Sequence, residues 1–190
     1  MTVSPPARFD ARSQVTITGL SHFFPLHASA CWSPTPYSWR SAATSGCVIF
    51  WDTRQDNATV RQHTAAAVAE THRLRPLWTA ADFHILLHPA AMSNGQNRTI
   101  WAGWQLHSPT NRSGAVVLLR RELAPASQRV ELIGVDVAVD YAMRLSEGFA
   151  RGEVRRISGA ALRELTVTVG TAPGSMLVEY TPVQAQNERR

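Results

Sequence analysis

Three aromatic residues and an arginine lie close together in one Pro- and Ser-rich stretch of the chain, residues 29–46. They are Trp32, Tyr37, Trp39 and Arg40, and a short apolar run precedes them. Aromatic faces suit the axial C–H groups of sugar rings, with polar neighbours binding the hydroxyls, and α/β barrels carry such side chains in loops after their strands. Indoles also cover the ends of hydrophobic cores. On the residue pattern alone, this second interpretation is favoured.

Hydrolysis of a glycosidic bond normally requires two carboxylates that face each other across the bond. The acidic residues of the first 80 positions are Asp10, Asp52, Asp56 and Glu70. Asp56 and Glu70 belong to a predicted helix and its cap, where they have a structural explanation. Asp52 has no clear partner, and Asp10 stands in a segment without predicted structure. No catalytic pair is predicted, and the chain contains neither a GxSxG motif nor a Cys–His pair at meaningful spacing.

The seven histidines and two cysteines do not form a recognisable metal site. His84 and His88 are four residues apart, but in a strand-like segment that spacing is not the helical pair that binds zinc. No histidine pair has a cysteine or aspartate at ligand spacing. Cys31 and Cys47 are predicted to be buried free thiols, with a disulfide between them left open. No metal and no cofactor is predicted.

The composition is that of a globular protein: 190 residues, 44% hydrophobic and 17% charged. The net charge of +5 comes from arginine without any lysine, which indicates a GC-rich coding sequence. The arginines are scattered and lack interleaved aromatic residues, so no nucleic-acid partner is predicted. No apolar run of about 20 residues predicts a membrane span. The N-terminus, Met1–Arg12, is not expected to be a secretory signal, and the cellular location is left open.

Two regions of different character position these residues. In residues 1–80, short strands are predicted at Gln14–Thr18 and Ser21–Leu26, and a strand or buried turn at Cys47–Trp51. One amphipathic helix is predicted to begin at Asp56 or Asn57 and to end at Pro76.

From Asp82 onward, turn signals separate short β segments. Eight strands in this region predict an antiparallel sandwich. They are Phe83–Leu87, Thr99–Leu106, Ala115–Arg121, Arg129–Ile133, Val139–Leu145, Glu153–Ile157, Leu165–Val169 and Ser175–Tyr180.

Several weak motifs occur in an order that resembles glycoside hydrolase family 36, the α-galactosidase-like enzymes. They are DFHIL, IWAGWQLHSPTNRSGAVVLLRRE, VELIGVDVAVDYAM, ISGAALRELTVTV and GSMLVEY. The matching positions in the β domain are Trp101, Trp104, Gln105, Arg120, Arg121, Gly134, Asp136 and Gly159. Departures from the family pattern are mild, with Val135 for the usual Leu, Val137 for the usual Pro, and His84 where an aromatic ring is common. In the first region, the recurrent positions are Gln14, Gly19, His27, Tyr37, Arg40 and Ser41.

The resemblance implies a mostly β fold: an antiparallel β-sandwich at residues 81–190, preceded at residues 1–80 by an α/β remnant of a (β/α)8 barrel. In this family two aspartates on earlier barrel strands act as nucleophile and acid/base. Both are expected to lie before Gln14, so the chain is expected to be non-catalytic alone. The residues expected to bind the carbohydrate are His27, Trp32, Tyr37, Trp39 and Arg40.

Two other interpretations differ in class from a glycosidase fragment. The first is a non-catalytic carbohydrate-binding or structural β-sandwich module. The second is a truncated gene product, since Phe23–Leu26 and Val48–Trp51 are apolar segments that a complete barrel would bury. A missing N-terminal barrel or a homo-oligomer would each cover those segments.

Overall fold

The computed structural model describes residues 5–20, 29–43, 47–51, 57–88 and 97–183. The first half contains α1 (Pro5–Leu20), β1 (Ser29–Cys31), α2 (Pro36–Ala42), β2 (Cys47–Ile49) and α3 (Ala58–Ala80). The second half contains β3 (Asp82–Leu87), β4 (Trp101–Ser108), β5 (Ser113–Arg120), β6 (Ser127–Glu131), β7 (Asp140–Ser146), β8 (Val154–Ser158), α4 (Gly159–Arg163), β9 (Glu164–Thr168) and β10 (Gly174–Pro182). Within these ranges no helix combines the length and the apolar character that crossing a bilayer requires. The predicted strand Ser21–Leu26 lies outside the described residues.

The strand predicted at Gln14–Thr18 is wrong, because these residues form the second half of helix α1. Burial recurs at Asp10, Ser13, Gln14, Ile17 and Thr18, which is the helical spacing of one face. Most of these buried side chains are polar, so a pattern of hydrophobic residues does not reveal the helix. The β-branched residues Val15–Thr18 suggest a strand, but tertiary packing overrides that local preference.

Strands β1 and β2 pair in parallel, with Ser29 opposite Cys47 and Cys31 opposite Ile49. Helix α2 connects them, so this part of the chain is a βαβ unit. Thr35 caps α2 by accepting a hydrogen bond from the Ser38 N–H at 3.2 Å, and Pro36 occupies the first helical turn. Among the described residues Cys31 is a free, buried thiol.

Helix α3 runs four residues beyond the predicted end at Pro76, because it accommodates the proline inside its last turns. Its start agrees with the prediction, since the Asn57 side chain accepts hydrogen bonds from the N–H groups of Thr59 and Val60. The buried residues of α3 include Ala67, Leu74 and Trp78. The helix leads directly into β3, with one residue, Ala81, between the two elements.

All eight predicted strands of the second region are present, with ends shifted by no more than a few residues. Six of them form one antiparallel sheet in the order β3-β4-β5-β10-β7-β8, and β6 pairs with β9 in a second sheet. The last strand, β10, lies between β5 and β7, which makes it central. Helix α4 was not predicted; Ser158 caps it by accepting from the Ala161 N–H at 3.3 Å.

The six-stranded sheet separates two hydrophobic cores. On one face Trp104, Val117 and Leu177 pack against α2 and α3. On the other face Leu118 and Val178 pack against β6, β9 and α4. Strand β4 is buried along its whole length because both of its faces are covered. The fold is mostly β, with an antiparallel sandwich preceded by an α/β segment, as predicted.

Candidate functional site

Three aromatic rings meet at the end of the parallel strand pair. Trp32 follows β1 directly, Phe50 follows β2, and Phe9 lies near the start of α1. The ring centroid of Trp32 lies 4.7 Å from that of Phe9 and 4.9 Å from that of Phe50. Phe9 and Phe50 are 36% and 57% exposed, which is unusual for residues of this size. We call these three residues the aromatic platform; apolar rings open to solvent at the ends of parallel strands can stack on the C–H face of a ligand.

A buried hydroxyl holds the backbone that carries Trp32. The Ser38 Oγ accepts hydrogen bonds from the N–H groups of Trp32 and Ser33 at 3.0 and 3.1 Å. It donates to the Asp10 carboxylate at 2.6 Å. Burial raises the pKa of Asp10 from its usual 3.8 to about 6, although the Ser38 hydrogen bond opposes this shift. Asp10 therefore positions Trp32 through Ser38, a link between α1 and the segment after β1.

Tyr37 and Trp39 lie on helix α2, below the aromatic platform, and both are buried. The Tyr37 hydroxyl accepts a hydrogen bond from the Gln14 amide at 3.0 Å. Burial raises the pKa of Tyr37 to about 12, so the phenol keeps its proton. Trp39 packs edge-on against Trp51, with ring centroids 6.2 Å apart. In the described structure these two side chains support the core rather than face solvent.

Arg40 is also buried on α2, where it joins three parts of the molecule. Its guanidinium donates two hydrogen bonds to the Glu70 carboxylate on α3, at 2.9 and 2.8 Å. The remaining hydrogen bonds go to the Ser175 hydroxyl and to the carbonyls of residues 146–148. The Arg40 side chain thus fastens the helices to the β-sandwich. His27, the fifth residue of the predicted set, lies outside the described residues.

A cleft of about 470 Å³ at the junction of the helices and the β-sandwich is lined by two carboxylates. Asp10 lines it from α1, and Glu147 lines it from the turn after β7. Glu147 accepts hydrogen bonds from the N–H and hydroxyl of Thr171, at 3.2 and 3.0 Å. The sequence does not reveal that these two acids line one cleft, because 137 positions separate them. Of the four acids considered in the first region, Asp52 and Asp56 lie outside the described residues.

Among the described residues, no group of three or more histidine, cysteine, aspartate or glutamate side chains is arranged to hold a metal ion. The nearest approach to a polar cluster is on β4 and β10, where the Tyr180 hydroxyl contacts Gln105 and His107. Burial lowers the pKa of His107, so its ring is neutral near pH 7. These hydrogen bonds link β4 to β10 across the sheet.

No family model matches the chain. No curated protein matches it either. Solved structures do match. The family 36 α-galactosidase AgaA from Geobacillus stearothermophilus superimposes with a TM-score of 0.66 at 23% identity, over 92% of this chain and 25% of that one.

The galactosidase domain of the α-galactosidase–sucrose kinase AgaSK gives a TM-score of 0.68 at 19% identity, with the same coverage of both chains. The α-galactosidase from Lactobacillus brevis gives 0.57 at 14% identity, over 81% of this chain and 21% of that one. The matched region is the C-terminal part of these proteins, and this chain spans about a quarter of their length. The chain therefore has the fold of the C-terminal part of a family 36 α-galactosidase, which confirms the fold implied by the resemblance.

Proposed function

We propose that this chain forms the closing part of an α-galactosidase-like glycoside hydrolase. Residues 1–80 supply the last strands and helices of a (β/α)8 barrel, and residues 81–190 form a β-sandwich that braces them. The observation that carries this proposal is the parallel β1–α2–β2 unit, whose two strands have no other strand neighbour among the described residues. The proposal is also supported by the similarity of fold to the α-galactosidase AgaA, which extends over 92% of this chain.

A parallel pair of three-residue strands is not a stable sheet by itself. Parallel strands occur almost only in larger sheets covered by helices on their faces. Here β1 and β2 each keep one unpaired edge within the described part of the chain, and Val48 on β2 is 50% exposed. Further parallel strands on both edges would pair these backbone groups and bury this side chain. A barrel closes in this way, since every strand then has two neighbours.

In that barrel, the aromatic platform would lie at the carboxyl ends of the strands, where barrel enzymes bind their substrates. Trp32 would stack on a sugar ring, and Asp10 and Ser38 would hold the backbone of Trp32 in place. Tyr37, Trp39 and Arg40 would act one layer below, by fixing α2 against the sandwich, and His27 remains a proposed sugar ligand. AgaA structures were obtained in complex with raffinose and with stachyose, so an α-galactoside is the proposed substrate class.

The two catalytic carboxylates are proposed to lie on other barrel strands. Both oxygens of Glu70 are occupied by Arg40. Asp10 and Glu147 line one cleft, but Asp10 lies on α1 and Glu147 in the turn after β7, so neither comes from a strand of the proposed barrel. This chain's contribution is then binding and support rather than bond cleavage.

A complementation assay tests this proposal. This chain would be coexpressed with a family 36 α-galactosidase that lacks its own C-terminal quarter, and hydrolysis of a nitrophenyl α-galactoside would be measured. We expect activity only when both parts are present, and at least a tenfold loss with Trp32→Ala. Leu123→Ala is the control, because Leu123 is 59% exposed and lies outside the barrel part.

Each outcome decides a separate point. Activity of this chain alone would show that it carries its own catalytic pair and would overturn the proposal. Soluble coexpression without activity would favour the non-catalytic carbohydrate-binding or structural module instead. Unchanged activity with Trp32→Ala would show that the aromatic platform does not bind the substrate.

A further inference from the structure

A second cavity, of about 390 Å³, lies on the helix-facing side of the six-stranded sheet, beyond the edge of α3. Its floor contains residues with small side chains, Gly114 on β5, Ala142 on β7 and Thr181 on β10. Glu179 and Thr181 lie on the same face of β10 as Leu177, which packs against the helices. Along this part of the sheet the helices stop short, so the surface stays open. The volume falls in the range of small-molecule sites.

Arginine side chains from three elements surround this cavity. Arg73 comes from α3, Arg144 from β7, and Arg151 from the turn between β7 and β8. Among the described residues, the acidic side chain that lines the cavity is Glu179, which pairs with Arg73 at 2.8 Å and with Arg151 at 3.6 Å. Arg73 also lies 4.0 Å from Glu70, but Arg40 already balances the charge of Glu70. Three guanidinium groups and one carboxylate thus line the cavity, which leaves two positive charges in excess. We call it the basic groove.

Arg144 is the residue of the basic groove that is free to bind a ligand. It lies directly opposite Glu179 in the β7–β10 ladder, yet Glu179 pairs with the other two arginines. Its Nη1 donates to the Gly152 carbonyl at 2.9 Å. Within the described residues, the Nε and Nη2 of Arg144 have no hydrogen-bond partner. Because Nε and Nη2 are not buried, these two donors of the half-buried guanidinium are accessible to an anionic ligand, which can accept from both at once.

The basic groove is also formed in advance. Arg40 binds the carbonyls at the start of the turn that carries Arg151, from Ser146 to Gly148. The end of the turn is fixed at Gly152, whose N–H donates to the Ser146 Oγ at 3.1 Å. The backbone that carries Arg151 is therefore held in place before a ligand binds, which reduces the entropy lost on binding.

We propose that the basic groove binds a phosphoryl group carried by a small polar molecule. A phosphoryl dianion matches the two uncompensated charges, and its oxygens match the forked donors of Arg144 and Arg151. The cavity is larger than one phosphate needs, and the small side chains of its floor leave space for a body the size of a monosaccharide. This site is separate from the aromatic platform and does not depend on the proposed glycosidase function.

Calorimetric titration of the full chain tests this site, with inorganic phosphate, glucose 6-phosphate and glucose as the three probes. We expect the sugar phosphate to bind more tightly than inorganic phosphate and glucose not to bind. Equal affinity for the two phosphates would still support the phosphoryl site, with free phosphate as its ligand. Absence of binding by both phosphates at tens of millimolar would overturn the proposal.

Point variants distinguish specific phosphate binding in the basic groove from nonspecific attraction of phosphate to a positively charged protein. Arg144→Ala and Arg151→Ala are each expected to weaken phosphate binding at least tenfold. Arg151 is 46% exposed, so its replacement leaves the fold intact even if Arg144→Ala does not. Arg129→Ala is the control, because Arg129 is 67% exposed and pairs with Glu164 on the other sheet. An equal loss of affinity in this control would show nonspecific electrostatics and would overturn the site.

Discussion

Arg40 and Glu70 form a two-pronged ion pair in which both side chains are almost completely buried, at 1% and 2% exposure. The pair joins α2 to α3, and the other donors of Arg40 reach the carbonyls after β7 in the β-sandwich. A single guanidinium thus satisfies groups from the helices and the sandwich at once. Its geometry explains how a short α/β segment is held in a fixed position against the sheet.

Replacing Arg40 with Met is expected to lower the free energy of unfolding by about 3–5 kcal/mol, because Glu70 would remain buried without its partner. The double variant with Glu70→Leu should regain part of this loss. Arg129→Met is the matched control: the Arg129–Glu164 pair is 67% and 60% exposed, and its loss should cost under about 1 kcal/mol. Urea unfolding of the three variants and the parent measures these values, and similar losses at both pairs would contradict the prediction.

The raised pKa of Asp10 predicts that the free energy of unfolding falls as the pH rises. Its folded pKa of about 6 lies above its usual 3.8, so the folded state holds this proton more tightly than the unfolded chain does. This contribution to the free energy of unfolding is about 3 kcal/mol. It is fully present below pH 3.8 and is lost as the pH rises through about 6. Asp10→Asn still accepts from Ser38 but does not titrate. Urea unfolding between pH 3.5 and 7 should show the parent losing stability relative to this variant.

An exposed aspartate supplies the control for that measurement. Asp140 is 42% exposed and pairs with Arg156 at 2.8 Å. Asp140→Asn is expected to follow the parent at every pH within about 1 kcal/mol. If the curves of the parent and Asp10→Asn stay parallel across this range, the buried carboxyl does not titrate as described.

The sandwich was predictable from sequence because its strands are short, are separated by Gly- and Pro-containing turns, and alternate between two covered faces. The order of the strands was not predictable in the same way. Strand β10 inserts between β5 and β7, and this contact joins residues up to 66 positions apart, such as Tyr180 and Gly114. No local sequence pattern encodes such a pairing. It depends instead on how the hydrophobic faces of distant strands pack against each other.

Helices α1 and α2 were less predictable than α3 because polar side chains form many of their buried contacts. The buried face of α1 is largely polar, so it lacks the apolar stripe by which helices are found. For α2 a signal was available: Thr35-Pro36 is a typical capping residue followed by a proline of the first turn. Recognising it would have moved Tyr37, Trp39 and Arg40 from a loop onto a helix, and thus from an exposed site into the core.

Tyr180→Phe is expected to destabilise the sheet by about 1–3 kcal/mol. The Tyr180 hydroxyl accepts from the Gln105 amide at 2.7 Å and forms a second hydrogen bond with the Nδ1 of His107 at 2.9 Å. Removing the hydroxyl leaves both buried groups without this partner. Tyr141→Phe is the control, since among the described residues the Tyr141 hydroxyl hydrogen-bonds only to the N–H of the half-exposed Asp136, at 3.1 Å. Thermal unfolding should give a clearly larger loss for Tyr180→Phe, and equal losses would contradict the role of the buried cluster.

Two Gly→Ala changes are expected to alter stability in opposite directions. At Gly114 a Cβ would lie 2.3 Å from the Leu106 carbonyl oxygen and 2.3 Å from the Tyr180 hydroxyl, so the central strands would have to separate. This overpacking should cost about 1–3 kcal/mol. At Gly19 in α1 a Cβ meets no atom of the described residues outside its own helix within 4 Å, and the helical backbone is one that alanine adopts readily. Gly19→Ala should therefore stabilise the protein by about 0.5–1 kcal/mol, chiefly by restricting the unfolded chain. Urea unfolding measures both signs, and a destabilised Gly19→Ala would show that α1 does not end as a regular helix at Leu20.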